Sequence, residues 1–181
     1  MAIPLVRISK IALRRKKRGP LGLLDESVVR FRVWPNDIDV NLHLNNGRYL
    51  TIMDLGRFDL VGRNGMFEVA LANRWTPLVG TAILHYFRPI QPFASYDLRT
   101  RLVCWDEKWF WVNHRFELDG QLMATGAVRG LFRGRDGNVP PRRLLEMSGL
   151  PIDSPPMPDW VERWMAADSS WTAAMRDVVS C

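Results

Sequence analysis

A dense polar loop is the part of this sequence whose residue types and spacing could do chemistry. From Trp34 to Tyr49 the chain reads WPNDIDVNLHLNNGRY, with two carboxylates, one histidine and four asparagines within a dozen residues. An aspartate in such a loop can act as a general base or as a nucleophile, and histidine exchanges a proton near neutral pH. Asp39, or alternatively Asp37, is therefore a candidate for the reacting carboxylate, with His43 as a proton carrier.

The start of the next element adds a site for a developing negative charge. The wide apolar stripe that follows predicts a buried helix from Gly47 to about Val61, with Asn45 or Asn46 as its N-cap. Backbone N–H groups at such a helix start can polarise a carbonyl and stabilise its oxyanion. No G-x-S-x-G nucleophile motif is present. Together these groups suit transfer of an acyl group to water, with a water molecule or a carboxylate as the attacking group.

The elements around the loop predict a sheet that wraps this helix. A strand with alternating apolar residues precedes the loop at Ser27–Trp34. Strand-forming stretches joined by short connections, typical of an antiparallel meander, follow the helix at Pro77–Arg88, Tyr96–Trp105, Lys108–Leu118 and Gln121–Arg133. This order predicts an α+β fold in which one antiparallel sheet curls round one long central helix.

The charge of the chain divides it into segments. The 181 residues suit one domain, and their formal charge is +6, yet residues 1–24 hold seven bases and no acid, so the remainder carries 18 bases against 19 acids. We expect a basic N-terminal leader (1–24), a catalytic domain (25–138) and a Pro-rich C-terminal extension (139–181) of little regular structure, apart from a short helix near Asp159–Asp168. A near-neutral domain argues against a nucleic-acid-binding face, and no nucleic acid is expected as a partner.

The leader and the cysteines bear on location. The leader has two interpretations, a solvated mobile tail or a basic amphipathic helix over Leu5–Arg18 that lies on an anionic membrane surface. No apolar run is long enough to span a bilayer, and the start does not have the pattern of a signal peptide. Cys104 and Cys181 lie far apart, which favours a reducing setting. We therefore predict a cytoplasmic protein, with peripheral membrane contact through the leader left open.

The histidines give no sign of a metal site. His43, His85 and His114 are scattered, without ligand spacing and without a cysteine cluster. The sequence predicts neither a metal nor a redox cofactor. We expect His114 to be structural, and we leave His85 open between a strand residue that faces a cleft and a packed core histidine.

The polar loop resembles a known family signature. Residues 37–50, DIDVNLHLNNGRYL, are similar to the signature of hotdog-fold acyl thioesterases of the 4-hydroxybenzoyl-CoA thioesterase type, and especially to that of the plant fatty-acyl carrier protein thioesterases. The order of elements agrees over residues 27–135, and LHYFRP at 84–89 resembles part of the family's second long strand. With its Pro-rich extension, the chain resembles the bacterial branch similar to thioesterase superfamily member 6.

This resemblance implies an acyl-thioester hydrolase that cleaves acyl-CoA or acyl carrier protein thioesters to a free acid and a thiol. Asp39 matches the nucleophile or base of the signature, and Asn41 and His43 match the residues that position and activate the attacking group. Asn46 and Gly47 fall where the helix start receives the thioester carbonyl. Coenzyme A enters only as part of the substrate, and the acyl chain and its carrier stay open.

His85 departs from the family pattern. The plant enzymes have an assisting acidic residue just before the tyrosine of the second strand, where this chain has His85, which we predict to contact substrate. The departure motivates an alternative, a non-hydrolytic acyl-thioester binding protein of the same fold.

The resemblance also implies an oligomer. Members of the family pair through their long strands, so a homodimer or a tetramer of dimers is implied, with active sites at the subunit boundary.

Overall fold

The computed structural model describes residues 7–9, 11–13 and 18–179. These residues form an α+β fold in which one antiparallel sheet curves round a long helix, as predicted. From residue 18 onwards the strands and α-helices follow in the order β1 (Ser27–Arg32), α1 (Asn46–Arg63), α2 (Met66–Ala72), β2 (Thr76–Tyr86), β3 (Ser95–Trp105), β4 (Phe110–Leu118), β5 (Gln121–Gly134), β6 (Gly137–Val139), α3 (Pro141–Met147) and α4 (Asp159–Val179).

The sheet has the strand order β1-β3-β4-β5-β2, and β6 pairs over three residues with the C-terminal end of β5. Every pairing is antiparallel, as expected for strands joined by short connections. The first two strands of the chain, β1 and β2, therefore lie at opposite edges of this five-strand order. The long helix α1 lies between them in sequence and crosses the concave face of the sheet.

Helix α1 provides the centre of the core. Its buried residues include Tyr49, Ile52, Met53 and Leu60, which pack against the concave face of the sheet. Gly56 allows the closest approach, because an added Cβ would lie 2.3 Å from Oγ1 of Thr100 on β3. The apolar stripe of the sequence therefore predicted this helix correctly. Gly56 does not terminate the helix but lies where the helix contacts the sheet.

Four elements differ from the sequence predictions. The short helix α2 and the short strand β6 were not predicted, and α4 continues to Val179 rather than ending at Asp168. The Pro-rich stretch was expected to have little regular structure, and this prediction is wrong where α3 forms. Pro141 occupies the first turn of α3, where proline is tolerated, and the fully buried Leu144 and Leu145 provide the packing that stabilises the helix.

The described part of the leader packs on the domain. Ile11 is buried in the main core, and Arg18 donates to Oδ1 of the buried Asp59 at 3.1 Å. Oγ of Ser27 donates to the other oxygen of that carboxylate at 2.6 Å. The leader's remaining bases, Lys10 and residues 14–17, lie outside the described residues. Half of the residues of the predicted surface helix over Leu5–Arg18 also lie outside the described ranges, and that helix and the boundaries of the three segments stay predictions.

Candidate active site

The polar loop is a tight, closed turn between β1 and α1. An antiparallel bridge joins Ile38 to Leu44, and between them the N–H of Asp39 donates to the carbonyl of His43 at 3.1 Å. Leu42 at the tip has a φ of +59°, the left-handed conformation that costs a residue with a side chain roughly 1 kcal/mol or more. The loop therefore holds Asp39 and His43 side by side at its base.

Asp39 and His43 are adjacent and half-shielded from solvent. Nδ1 of His43 lies 3.7 Å from Oδ1 of Asp39, and the two side chains are 28% and 16% exposed. Oδ1 also accepts from the backbone N–H of Asn41 at 2.9 Å. Among the described residues, no group donates to Oδ2. One carboxylate oxygen is thus oriented by the loop and the other is available to a water or a substrate.

The start of α1 is capped as the sequence predicted. Oδ1 of Asn45 accepts from the N–H of Gly47 at 2.9 Å, and the carbonyl of Asn45 accepts from the N–H of Arg48. In the described part of the chain no acceptor meets the N–H of Asn46. The two residues predicted to receive the carbonyl therefore differ, because the N–H of Gly47 is occupied by the cap while that of Asn46 is available.

The first aspartate of the loop has a structural position. Asp37 is 1% exposed, and its carboxylate accepts from the Arg7 guanidinium and from the N–H of Trp34 at 3.1 Å. Its own carbonyl accepts from the N–H of Asn45 at 2.8 Å, which links the loop to the helix cap. Asp37 is therefore engaged in holding the loop, the structural position expected for it, and Asp39 is the accessible carboxylate.

His85 does not join these groups. Oη of Tyr86, its neighbour on β2, donates to the carbonyl of Asn46 at 3.2 Å, so Tyr86 points towards α1. Because successive side chains of a strand point to opposite faces, His85 lies on the outer face of the sheet, where its ring is 4.4 Å from that of Phe87. Within one chain Asp39, Asn41 and His43 share the loop directly before the Asn46–Gly47 start of α1, whereas His85 is on the other face of the sheet.

Two tyrosines at the site were not singled out from the sequence. The ring of Tyr49 lies 5.0 Å from that of Tyr86 in an edge-on arrangement. Burial, with smaller contributions from Tyr86 and the negative charge of Asp39, raises the pKa of Tyr49 to about 12, and burial also raises the pKa of Tyr86. Both hydroxyls therefore stay protonated donors at neutral pH. In the sequence, both tyrosines could have been noticed as the last residues of the motifs NNGRY and LHY.

An apolar cavity lies at the other end of α1. Its volume is about 480 Å³, within the range of small-molecule sites. None of Asp39, Asn41 and His43 lines it, and its lining on α1 begins at Asp54, eight residues or about 12 Å along the helix from Asn46. Besides residues 76–79 of β2, its apolar lining includes Phe58, Val61, Phe67, Leu71, Trp75 and Phe110.

A polar network borders this cavity. Arg57, which lines it, pairs with Asp54 and has Nη1 3.2 Å from Nε2 of His114. Since a guanidinium only donates, Nε2 accepts, and the proton on Nδ1 faces Oγ1 of Thr100 at 3.0 Å. Burial, followed by the positive charge of Arg57, lowers the pKa of His114 well below its ordinary value. The prediction of a structural His114 agrees with this neutral, fully buried imidazole.

Among the described residues, the other reactive groups are not gathered into a second site. Cys104 is buried, and burial raises the pKa of its thiol to about 11, so it stays an unreactive thiol. Over residues 7–9, 11–13 and 18–179, no three His, Cys, Asp or Glu side chains are grouped as metal ligands. Nor does any helix in these ranges have the length and hydropathy needed to cross a membrane.

The curved sheet, the central helix and the loop at its start define a hotdog-fold protein with a thioesterase-type loop. Residues 33–165 match the family model of the Thioesterase-like superfamily, and the chain belongs to this family. Protein THEM6 of Danio rerio is 34% identical over 171 residues, which cover 92% of this chain and 82% of that protein. The resemblance stated from the loop is therefore confirmed, and the chain is a thioesterase-type protein similar to THEM6.

Solved structures share the fold. YbaW, a probable thioesterase of Escherichia coli, superposes with a TM-score of 0.62 at 19% identity, over 67% of this chain and 94% of YbaW. The gentisyl-coenzyme A thioesterase BH1999 superposes with a TM-score of 0.58 at 18% identity, over 67% of this chain and 98% of BH1999. At these identities the likeness establishes the hotdog fold.

Proposed function

We propose that this protein hydrolyses acyl-coenzyme A thioesters to a free acid and coenzyme A. Thioester hydrolysis is the reaction class of its family. The observation that carries the assignment is the available carboxylate oxygen of Asp39 beside His43, directly before the capped start of α1. Coenzyme A is proposed as the carrier because the structurally similar BH1999 acts on a coenzyme A thioester.

In the proposed reaction, Asp39, the N–H of Asn46 and His43 act one after another. Asp39 removes a proton from a water molecule while the water oxygen forms a bond to the thioester carbonyl carbon. The oxyanion accepts a hydrogen bond from the N–H of Asn46 at the positive end of α1. As the carbonyl re-forms, the carbon–sulfur bond breaks, and the thiolate receives a proton from His43 or from the protonated Asp39. Direct attack by Asp39, with water hydrolysing the resulting anhydride, uses the same groups.

A homodimer is part of the proposal. β2 is an eleven-residue edge strand that exposes Leu78, Val79 and Ile83, and an unpaired edge of this kind is a template for another strand. If two copies pair antiparallel along β2, residues 76–79 of one copy face the Tyr86 end of the other. The apolar cavity of one copy then lies near Asp39 of the second, where an acyl chain and its carbonyl need to be.

The test is to follow thiol release from a panel of acyl-CoAs with Asp39→Asn and Asp39→Ala. Loss of a general base lowers kcat roughly 10²- to 10⁴-fold, and we expect a loss in this range for both variants. Asp136→Asn, an exposed carboxylate in the turn before β6, is the matched control and retains wild-type turnover. Turnover by Asp39→Asn equal to that of the control would overturn the assignment.

The carrier is tested with one acyl group attached in turn to coenzyme A, to pantetheine and to an acyl carrier protein. We expect the highest kcat/KM with coenzyme A. A preference for the carrier protein would replace coenzyme A in the proposal while leaving the role of Asp39 in place. The non-hydrolytic alternative was motivated by His85, and it gains no support from a side chain that lies on the opposite face of the sheet from the loop.

A further inference from the structure

The outer face of the sheet has a row of directly paired residues that crosses four strands. Cys104 on β3 pairs with Trp111 on β4, Trp111 pairs with Arg129 on β5, and Arg129 pairs with Thr81 on β2. Arg129 is on the outer face because its neighbour Val128 lines the cavity on the concave side. The row ends at Thr81, since β2 is the edge strand.

Helix α4 follows this row. Near its start, Val161 is fully buried in a cluster with Cys104 and Trp111. Seven residues later, the carboxylate of Asp168 accepts from Nη2 of Arg129 at 2.8 Å and from Oγ1 of Thr81 at 3.3 Å. Seven residues of helix rise about 10 Å, and two strand spacings are also about 10 Å. The helix therefore runs perpendicular to the strands, towards the free edge of β2.

The second half of α4 continues past that edge. Residues 169–179 extend for about 16 Å beyond Asp168, a distance of more than three strand spacings. In the described part of the chain, no strand lies beyond β2 to support them. Trp171, only about 5 Å further along the helix axis than Asp168, is 64% exposed, and Met175 is 45% exposed.

Four large apolar side chains share one flank of the helix: Trp160, Trp171 and Met175 are exposed, and Trp164 is half-buried against the cluster around Val161. At 100° per residue, the residues at 160, 164, 171 and 175 fall within a sector of about 60°. All four are Trp or Met, and the rings of Trp160 and Trp164 stack with centroids 6.5 Å apart. Val161 and Asp168 contact the sheet, so this flank lies beside the sheet-facing side of the helix, where a neighbouring helix would pack.

We propose that α4 packs antiparallel against α4 of a second copy of this chain, with Trp171 facing itself across the two-fold axis. The inference rests on the β2-paired homodimer of the proposed function, because such pairing places the outer face of the second copy under residues 169–179. The axis of that dimer lies half a strand spacing beyond β2, which is where Trp171 is found. A residue at a two-fold axis contacts its own counterpart. The paired α4 helices would stabilise the interface between the two subunits, where the active sites form.

Site-specific cross-linking tests the proposal in the full-length chain. In a Cys181→Ser background, Trp171→Cys is oxidised mildly or treated with a short bifunctional maleimide. We expect a covalent dimer on a denaturing gel, because facing positions of packed helices lie within reach of such a bridge. Trp160→Cys is the matched control and stays monomeric, since its two copies would be about 33 Å apart along the helices. The remaining cysteine, Cys104, is buried.

A second measurement covers the energetics of the contact. Trp171→Glu places two like charges at the axis, and we expect the dimer dissociation constant to rise at least tenfold by analytical ultracentrifugation. Because Trp171 is exposed in the single chain, the variant should keep its far-ultraviolet circular dichroism. An unchanged dissociation constant would overturn the helix pairing.

The outcomes separate this inference from the proposed activity. A wild-type dimer whose Trp171→Cys variant does not cross-link more than Trp160→Cys would overturn the pairing of α4 and leave hydrolysis standing. Cross-linking at Trp171 without turnover of any acyl-CoA would support the pairing and count against the proposed reaction. A monomeric wild-type chain would overturn both the β2 dimer and the helix contact, whatever the turnover.

Discussion

Arg7 of the N-terminal segment pairs with Asp37, thirty residues further along the chain and almost completely buried in the polar loop. Arg7 itself is only 12% exposed. The guanidinium neutralises a carboxylate that also receives the N–H of Trp34, and the carbonyl of Asp37 in turn holds the N–H of Asn45. A residue of the leader is therefore joined, through two contacts, to the cap of the helix that begins the candidate active site.

Arg7→Ala should weaken both the fold and the reaction. Removing one partner leaves the other charge buried, with Arg48 3.9 Å away as a weak substitute, and we expect the free energy of unfolding to fall by about 1–3 kcal/mol. A loop that is held less firmly should lower kcat more than it raises KM. Urea unfolding and acyl-CoA kinetics measure the two effects.

Arg30→Ala is the control for Arg7, since Arg30 is an exposed arginine on β1. Arg7→Lys tests the geometry, because a lysine keeps the charge but cannot contact both carboxylate oxygens, and we expect partial recovery. Equal stability and equal kcat in Arg7→Ala and Arg30→Ala would show that the leader does not support the loop.

His114 should make stability depend on pH. The buried imidazole stays neutral in the folded state, whereas in the unfolded chain it takes up a proton below its ordinary pKa of 6.5. The unfolded state then binds more protons, so stability falls as the pH drops below 6.5, by as much as about 1.4 kcal/mol per pH unit, and is fully retained above it.

The measurement is the free energy of unfolding between pH 5 and 7.5 for the wild type and for His114→Gln, which cannot titrate. We expect a shallower slope in His114→Gln over the acidic half of this range. His85→Gln, at an exposed position on β2, should keep the wild-type slope. Parallel curves for the wild type and His114→Gln would mean that the buried histidine is not the source of the dependence.

The apolar cavity should limit the length of the acyl chain. Val61→Phe adds bulk to its lining, so substrates whose chains reach this position lose contacts worth roughly 0.8 kcal/mol, or about fourfold in kcat/KM, for each excluded methylene. Short acyl-CoAs serve as the internal control and should retain their kcat/KM. A uniform decrease over all chain lengths would indicate damage to the fold rather than loss of space for the chain.

Location stays a prediction. The cytoplasmic setting was inferred from the two cysteines and the absence of export signals in the sequence, and peripheral membrane contact from the basic leader. Fractionation of cells that produce the full chain, compared with a variant in which the leader bases are replaced by glutamine, would measure whether the leader recruits the protein to membranes.

Local features of the sequence were sufficient for the loop, the long helix and the strand order along the chain. Asp39, Asn41 and His43 lie within five residues, and a tight turn is enough to place them side by side, although Arg7 and Ile90 help to hold that turn. The N-cap at Asn45 and the apolar stripe of α1 are likewise written in consecutive residues, because capping and amphipathicity act over one or two turns. The signature in this stretch was also enough to indicate the family.

Only the tertiary structure decided what depends on contacts between distant residues. It identified Arg7 as the partner that holds the buried carboxylate of Asp37, while Asp39 stays accessible. It placed His85 on the outer face, since the side of a strand follows from its pairing and not from its composition. It separated the apolar cavity from the loop by about two turns of α1, and it directed α4 beyond the sheet edge at Thr81. Burial, strand register and helix direction depend on packing between residues that are distant in the chain, so a local sequence motif does not determine them.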